Sequence, residues 1–272
     1  MTVDVVVCTY NSERFLKPCL ESIVKNVPVK DLRVVDNYST DRTVQISKEY
    51  ASEVVQSKGS LAESRQLSFS LVKTPLFVNV DSDVVLCEDW YNKVFRYLRP
   101  DLGAVWGVAV NELQRELHDY QVAMYKWRHP STYNLIVLGD MICRRDLVQN
   151  IPFPDSYLRG AVAGEDYYIK GYIEKQGYKT LTAPVYVKHY CNPPPLGLKT
   201  YWGGASTRLS NRWGLVQILK SIGLAFPQAL YVASQSGNPN VIPFWLRFRF
   251  ETLVGWLHWD RYYNLRRKPY AK

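Results

Sequence analysis

Paired cysteines are missing: none of Cys8, Cys19, Cys87, Cys143 and Cys191 stands in a Cys-x-x-Cys spacing, so no zinc site or redox dithiol is announced. Five scattered thiols, an odd number, are simplest in a reducing compartment. No Gly-x-Gly-x-x-Gly follows the first apolar run and no Gly-x4-Gly-Lys-Ser/Thr occurs, which removes the dinucleotide fingerprint and the phosphate-cradling P-loop. The start, MTVDVVVCTYN, has no basic segment ahead of a run too short for a signal peptide, so a cytoplasmic location is expected. Apolar stretches of the ~20 residues that spanning requires are absent from the C-terminal part, where Lys220, Pro227, Arg247, Arg249 and Glu251 interrupt them. Acidic residues are scarce there too: residues 201–272 hold 10 Lys/Arg against 2 Asp/Glu, whereas residues 1–200 hold 24 against 23. The net charge of +9 therefore belongs to the tail.

What is present is enough for a packed core, since 47% of the 272 residues are apolar. Residues 2–8 form a β-branched, nearly continuous apolar run, the mark of a strand buried on both faces. Phe15, Leu16, Cys19, Leu20, Ile23 and Val24 then follow helical spacing behind a cap at Asn11 or Ser12, with Pro18 predicting a kink or a later start. The pattern recurs as strand 32–35, helix 40–50, strand 53–56, helix 61–72 and strand 76–80. Such alternation predicts an α/β layer fold with a mostly parallel sheet flanked by helices, in which ligands bind beyond the carboxyl ends of the strands.

Polar residues stand at those ends. Thr9, Tyr10 and Asn11 follow the first strand, Asp36-Asn37-Tyr38-Ser39-Thr40-Asp41 the second, and Asp81-Ser82-Asp83 the strand at 76–80. Two carboxylates two residues apart can face one way and suit a hard divalent cation that takes further oxygens from water or phosphate; a solvated acidic loop is the plainer reading of the same triplet. Asp36 can accept from a base or ribose, or close an Asx turn with Ser39. Gly164-Glu165-Asp166 precedes a helix expected over 167–175, where a carboxylate can serve as general base or favour the helix dipole. A strand expected over 180–190 ends near His189, which can ligate a metal or pack.

The ordered set VVVCTYN, VVDNYSTDRT, LAESRQLSFSLVKTPLFVNVDSDV and GEDYYIKGYIEKQGYKTL resembles the family 2 glycosyltransferases with a GT-A fold, over roughly residues 3–190. The resemblance implies an inverting transferase that uses a nucleotide-diphospho-sugar donor with Mn2+ or Mg2+. It implies that Thr9, Tyr10 and Asp36, with Asn11 and Ser82 beside them, hold the nucleotide; that Arg65 lies near the diphosphate; that Asp81 contacts ribose or sugar; that Asp83 coordinates the metal; and that Asp166 is the catalytic base. The family commonly carries Asp-Asp-Gly-Ser where this chain has Asp36-Asn37-Tyr38-Ser39, which leaves the nucleobase, uracil or guanine, open. The processive members carry Gln-x-x-Arg-Trp, against Leu209-Ser210-Asn211-Arg212-Trp213 here, so transfer of one sugar at a time is expected.

Domains are expected at 1–200, catalytic, and 201–272, helical. Residues 112–130, with Tyr120, Tyr125, Trp127 and His129, sit with Glu165 where the family would bind its acceptor, a glycan or a lipid-linked acceptor; an ordinary amphipathic helix is the alternative. In the tail, helices are expected over 215–225 and 244–259. Trp245, Phe248, Trp256 and Trp259, with Arg247, Arg249, Arg261, Arg266, Arg267 and Lys268, resemble an aromatic and basic face for an anionic membrane, which would make the protein peripheral on a cytoplasmic face. The alternative is that these helices cover the core or dimerise. The near-neutral body, without a recognised nucleic-acid module, argues against nucleic acid as a partner. A non-catalytic nucleotide-sugar or glycan-binding module of the same fold is the rival function.

Overall fold

The computed structural model of the chain describes residues 1–127, 139–158, 164–190, 196–210 and 214–261. It opens with β1 (Val3–Thr9), α1 (Glu13–Asn26), β2 (Val29–Asp36), α2 (Thr43–Tyr50), β3 (Glu53–Gln56), α3 (Leu61–Ser70) and β4 (Leu76–Asp81), the alternation that the apolar pattern predicts. Then follow β5 (Val84–Val85), α4 (Trp90–Phe95), β6 (Leu102–Asn111), α5 (Arg115–Trp127), β7 (Asp140–Arg144), α6 (Arg145–Val148), α7 (Asp155–Leu158), α8 (Glu165–Lys175) and β8 (Lys179–His189). Four helices come last: α9 (Leu198–Leu209), α10 (Leu215–Gly223), α11 (Ala225–Ser236) and α12 (Val241–Leu257).

The strands make one sheet in the order β3-β2-β1-β4-β7-β6-β8-β5. β3, β2, β1 and β4 are parallel. β7 runs antiparallel to both β4 and β6, and β5 antiparallel to β8, so the sheet is mixed. The parallel run ends at β4, where the simple alternation of short strands and helices also ends. Every residue of β1 and of β6 is buried, as strands covered on both faces require. Leu16, Leu20 and Ile23 of α1 pack beside Val5, Val7 and Val34 with no exposure, each side chain contributing roughly 1.5–3 kcal/mol of transfer free energy.

Local signals explain the helix ends. Ser60 Oγ accepts from the Glu63 N–H at 3.2 Å while Glu63 Oε2 accepts from the Ser60 N–H at 2.7 Å, a capping box that starts α3. Pro18 neither delays nor ends α1, which is continuous from Glu13; the proline faces solvent, where water can meet the carbonyl it leaves unpaired.

The chain divides into two compact units, one holding the sheet with α1–α4, α6 and α8, the other holding α5, α7 and α9–α12. In the second unit, α9 and α12 approach backbone to backbone. A Cβ on Gly204 would stand 2.1 Å from the Thr252 carbonyl oxygen, and one on Gly255 1.9 Å from that of Tyr201. α11 was not expected: Pro227 looked like an interruption, but it lies in the first turn, where its missing N–H has no helical partner to lose.

The tail's aromatic residues divide: Phe226 and Phe250 are exposed, while Phe244 and Trp245 face inward. Trp245 is buried, with Tyr120 of α5 stacked on it at 3.5 Å and Phe248 at 5.1 Å. The Arg249 guanidinium lies 4.5 Å from the Trp245 ring centre, and that of Arg208 4.6 Å from the Trp256 ring centre. Tyr120, named with the acceptor region, is thus packed in the second unit, and its hydroxyl donates to Gln228 at 3.4 Å. Trp127 is the last residue of α5. His129, Asn211, Arg212, Trp213, Arg266, Arg267 and Lys268 lie outside the described residues.

Candidate active site

The carboxyl ends of β1, β2 and β3 are zipped together by side chains that the sequence singles out. Asp36, fully buried, accepts from the Thr9 hydroxyl at 3.1 Å, the Ser39 hydroxyl at 2.5 Å and the Ser39 N–H at 2.9 Å. Asn11 donates its N–H to Ser39 Oγ at 2.8 Å and accepts from the Thr40 N–H at 2.9 Å. The Asn37 amide holds the Gly59 backbone, donating to its carbonyl at 2.6 Å and accepting from its N–H at 3.3 Å. Asp36 therefore fills the Asx-turn role and shapes the rim. Tyr10 and Tyr38 stand exposed on that rim. Asn11 and Tyr38 both take left-handed φ, 47° and 52°, so the site where the family commonly has Gly keeps a glycine-like backbone under a tyrosine.

Below the rim, Arg65 of α3 is the hub. Its side chain is 3% exposed and donates to Asn79 Oδ1 at 3.0 Å and to Asp81 Oδ1 at 2.7 Å, and its Nε lies 3.5 Å from Glu165 Oε1. Burial pulls its pKa down, but the charges of Asp81 and Glu165 outweigh that and hold the guanidinium firmly protonated. A residue expected near a diphosphate thus spans the carboxylate at the end of β4 and the first turn of α8.

The Asp81-Ser82-Asp83 turn is tied down on three sides. The Ser82 and Ser12 hydroxyls are 2.8 Å apart, Cys19 donates its thiol to the Asp81 carbonyl at 3.3 Å, and the Tyr190 N–H donates to the Asp83 carbonyl at 2.9 Å. Antiparallel pairing sets Val84 opposite His189, and this brings His189 Nε2 to 3.3 Å from Asp83 Oδ1. The two residues named for a metal, 106 positions apart in sequence, are therefore neighbours. Among the described residues no group of three or more His, Cys, Asp or Glu could hold a metal ion. An oxygen and an imidazole at this spacing fit a cation that completes its shell with water and substrate oxygens.

Asp140 was missed. It opens β7 beside Val80, and its Oδ2 accepts from the Trp90 indole at 2.7 Å and the Gly107 N–H at 3.0 Å, while Oδ1 has no hydrogen-bond partner among the described residues. Burial pushes its pKa up to about 8, a rise that Trp90 and Gly107 oppose and the Asp81 charge reinforces. The only hint in the sequence is a carboxylate interrupting an apolar run just after Gly139. Gly107 is required, since a Cβ there would meet Asp140 Oδ2 at 2.3 Å and the Val185 carbonyl at 2.5 Å.

Glu165 and Asp166 form the first turn of α8, which starts two residues earlier than expected. Glu165 reaches Arg65, and Asp166 Oδ1 accepts from the Tyr167 N–H at 3.1 Å. The site thus offers a fixed cation, a carboxylate and imidazole pair, and a partly exposed acid at a helix start.

A family model described as Glycosyl transferase family 2 matches residues 4–145. No curated protein matches. Among solved structures, the chain is similar to the mannosyltransferase PcManGT from Pyrobaculum calidifontis in complex with GDP-Man and Mn2+, at TM-score 0.65 and 17% identity over 95% of this chain and 87% of that one. It is also similar to S. aureus TarS 1-349, at TM-score 0.56 and 16% identity over 98% and 92% of the two chains. A third is glucosyl-3-phosphoglycerate synthase from Mycobacterium tuberculosis in complex with Mn2+, UDP and glucosyl-3-phosphoglycerate, at TM-score 0.53 and 18% identity over 78% and 79%. At such identities these likenesses establish a shared fold.

Proposed function

The chain belongs to glycosyl transferase family 2 and is a nucleotide-sugar glycosyltransferase, and we propose that it moves one sugar at a time, with inversion, from a UDP- or GDP-linked donor to an acceptor hydroxyl. The observation that carries this reading is the convergence of Asp81, Asp83, His189, Arg65 and the Glu165-Asp166 turn at the carboxyl ends of the sheet. In open α/β sheets that is where ligands bind.

Thr9, Asn11 and Asp36 shape the nucleoside rim, and the exposed rings of Tyr10 and Tyr38 offer stacking faces for the base. Asp81, oriented by Arg65, faces ribose or sugar, with Ser82 fixing the turn. Asp83 and His189 would hold Mn2+ or Mg2+, which when bound neutralises charge on the departing diphosphate. Asp166 takes the proton of the acceptor hydroxyl as its oxygen bonds to the anomeric carbon and the bond from that carbon to the diphosphate oxygen breaks. Arg65, held protonated, adds fixed positive potential on the side where negative charge develops. The acceptor in this reading is a glycan or a lipid-linked acceptor.

Calorimetric titration of UDP, GDP and dTDP, each with and without Mn2+, on the parent chain and on Asp83→Ala tests this reading. Binding of one nucleotide that needs the metal and weakens at least tenfold in Asp83→Ala is expected. No metal-linked binding of any of the three would favour a non-catalytic module of the same fold.

A further inference from the structure

α10 and α11 are apolar on both faces. Ile218, Ala225, Ala229 and Val232 recur at helical spacing and are buried within the second unit. Leu215, Leu219, Phe226 and Leu230 recur at the same spacing on the opposite side, with Val216 and Leu224 beside them, and these six are 45–59% exposed. A surface helix of a water-soluble domain turns polar residues outward, and a contiguous exposed apolar patch marks an interaction surface.

Charge identifies the occupant. Residues 175–250 contain no Asp or Glu at all. Glu251, the next acid, is buried and satisfied inside the unit, accepting from the Gly197 N–H at 2.7 Å and from Arg247 Nε at 2.8 Å. Lys220 lies exposed within the apolar face. A second copy laid on this face adds no acid from residues 175–250 to receive Lys220, whereas anionic headgroups supply the missing charge and the lysine stem can reach them from an apolar bed. No single described helix is long and apolar enough to cross a membrane, and α10 and α11 meet at a bend of 42° with one stripe already buried.

We propose that α10 and α11 lie along the surface of an anionic bilayer, their Leu215–Leu230 face seated at the boundary of headgroups and acyl chains. Of the aromatic and basic face expected from sequence, Trp245 is committed to packing. It is independent of the chemistry at the sheet.

The test is flotation of the full chain with vesicles of phosphatidylcholine alone or mixed with phosphatidylglycerol. The parent floats with the mixed vesicles and stays behind with the neutral ones; Leu219→Glu/Phe226→Glu lowers the floated fraction at least fivefold. Thermal melting and nucleotide titration on the same samples report folding. Should the double variant melt early, Lys220→Glu, which leaves the apolar face intact, lowers flotation in its place. An environment-sensitive dye on Leu219→Cys shifts to the blue with mixed vesicles and is quenched by labels near the headgroups, with the parent chain put through the same labelling as blank. Failure of the parent to float, equal flotation of both variants, or quenching only by labels at the bilayer centre overturns the proposal. So does a concentration-dependent dimer without lipid that the double variant abolishes.

Discussion

The two units use the same residue types in opposite ways. In the sheet unit charged groups are drawn inward and fixed: Arg65 is buried between Asp81 and Glu165, and Asp36 is closed in by Thr9 and Ser39. In the helical unit the groups that look suited to the surface, Tyr120, Trp245 and Glu251, are inside, while plain leucines lie outside. A strand end supplies backbone partners that make a buried charge tolerable, and a sheet edge can therefore hold chemistry. A helix packed on helices satisfies its own backbone, so its side chains are free to be sorted by shape, and a face left apolar is left for something apolar.

The sharpest way to break this contrast is at the acid of α8. Asp166→Asn keeps shape and removes the proton acceptor, and should lower kcat about 10²–10⁴-fold with little change in donor binding. Single-turnover assays beside nucleotide titration read both; unchanged product formation would remove Asp166 as the base. Next in size is Arg65→Met, which leaves Asp81 and Glu165 facing each other without their cation. Breaking a buried pair costs about 3–5 kcal/mol, so a fall of that order in chemical denaturation is expected. The counterpart in the helical unit is Gly255→Ala, whose methyl collides with the Tyr201 carbonyl. A loss of about 1–3 kcal/mol, with nucleotide affinity retained, would keep the units' roles separate.

Asp140 sharpens the comparison through pH. Its folded pKa is raised from 3.8 to about 8, so between those values the folded state keeps a proton that the unfolded state has released. Stability therefore falls as pH rises through that window, by up to about 1.4 kcal/mol per pH unit. Asp140→Asn should flatten this slope in denaturation curves taken across the window, and a slope identical to the parent's would show that another group sets it. The smallest effect is at Tyr38→Gly. Relief of a left-handed tyrosine should stabilise by about 0.5–1 kcal/mol while nucleotide affinity drops a fewfold from the lost ring. Equal affinity would place the base elsewhere than on Tyr38.

Much of the sheet was legible because continuous β-branched runs admit one reading. β3 runs Glu53–Gln56 as expected, and β1 and β4 differ from expectation by a residue. The acidic turn after β4 was legible for the same reason, since the strand fixes where the chain must leave the core. His189 could be named but not placed beside Asp83, because that meeting depends on the β5–β8 register, a long-range pairing that local pattern does not carry. Asp140 belongs to no motif, and its partners Trp90 and Gly107 come from distant elements. In the tail, composition revealed an excess of tryptophan and arginine but not which way each points. α9 passed unseen behind Gly203-Gly204, of which Gly204 serves its close approach to α12 instead of breaking a helix.

Arg65 touches Asp81 at the end of β4 and Glu165 in the first turn of α8, two acids 84 positions apart that share one cation. Anything that draws Asp81 away changes the field at Glu165, and anything that engages the α8 turn changes the field at Asp81. In linkage terms the two ends have a common ledger: the factor by which a ligand at one end alters affinity at the other is the same in both directions. One guanidinium thus makes the coupling between the two ends a property of the fold.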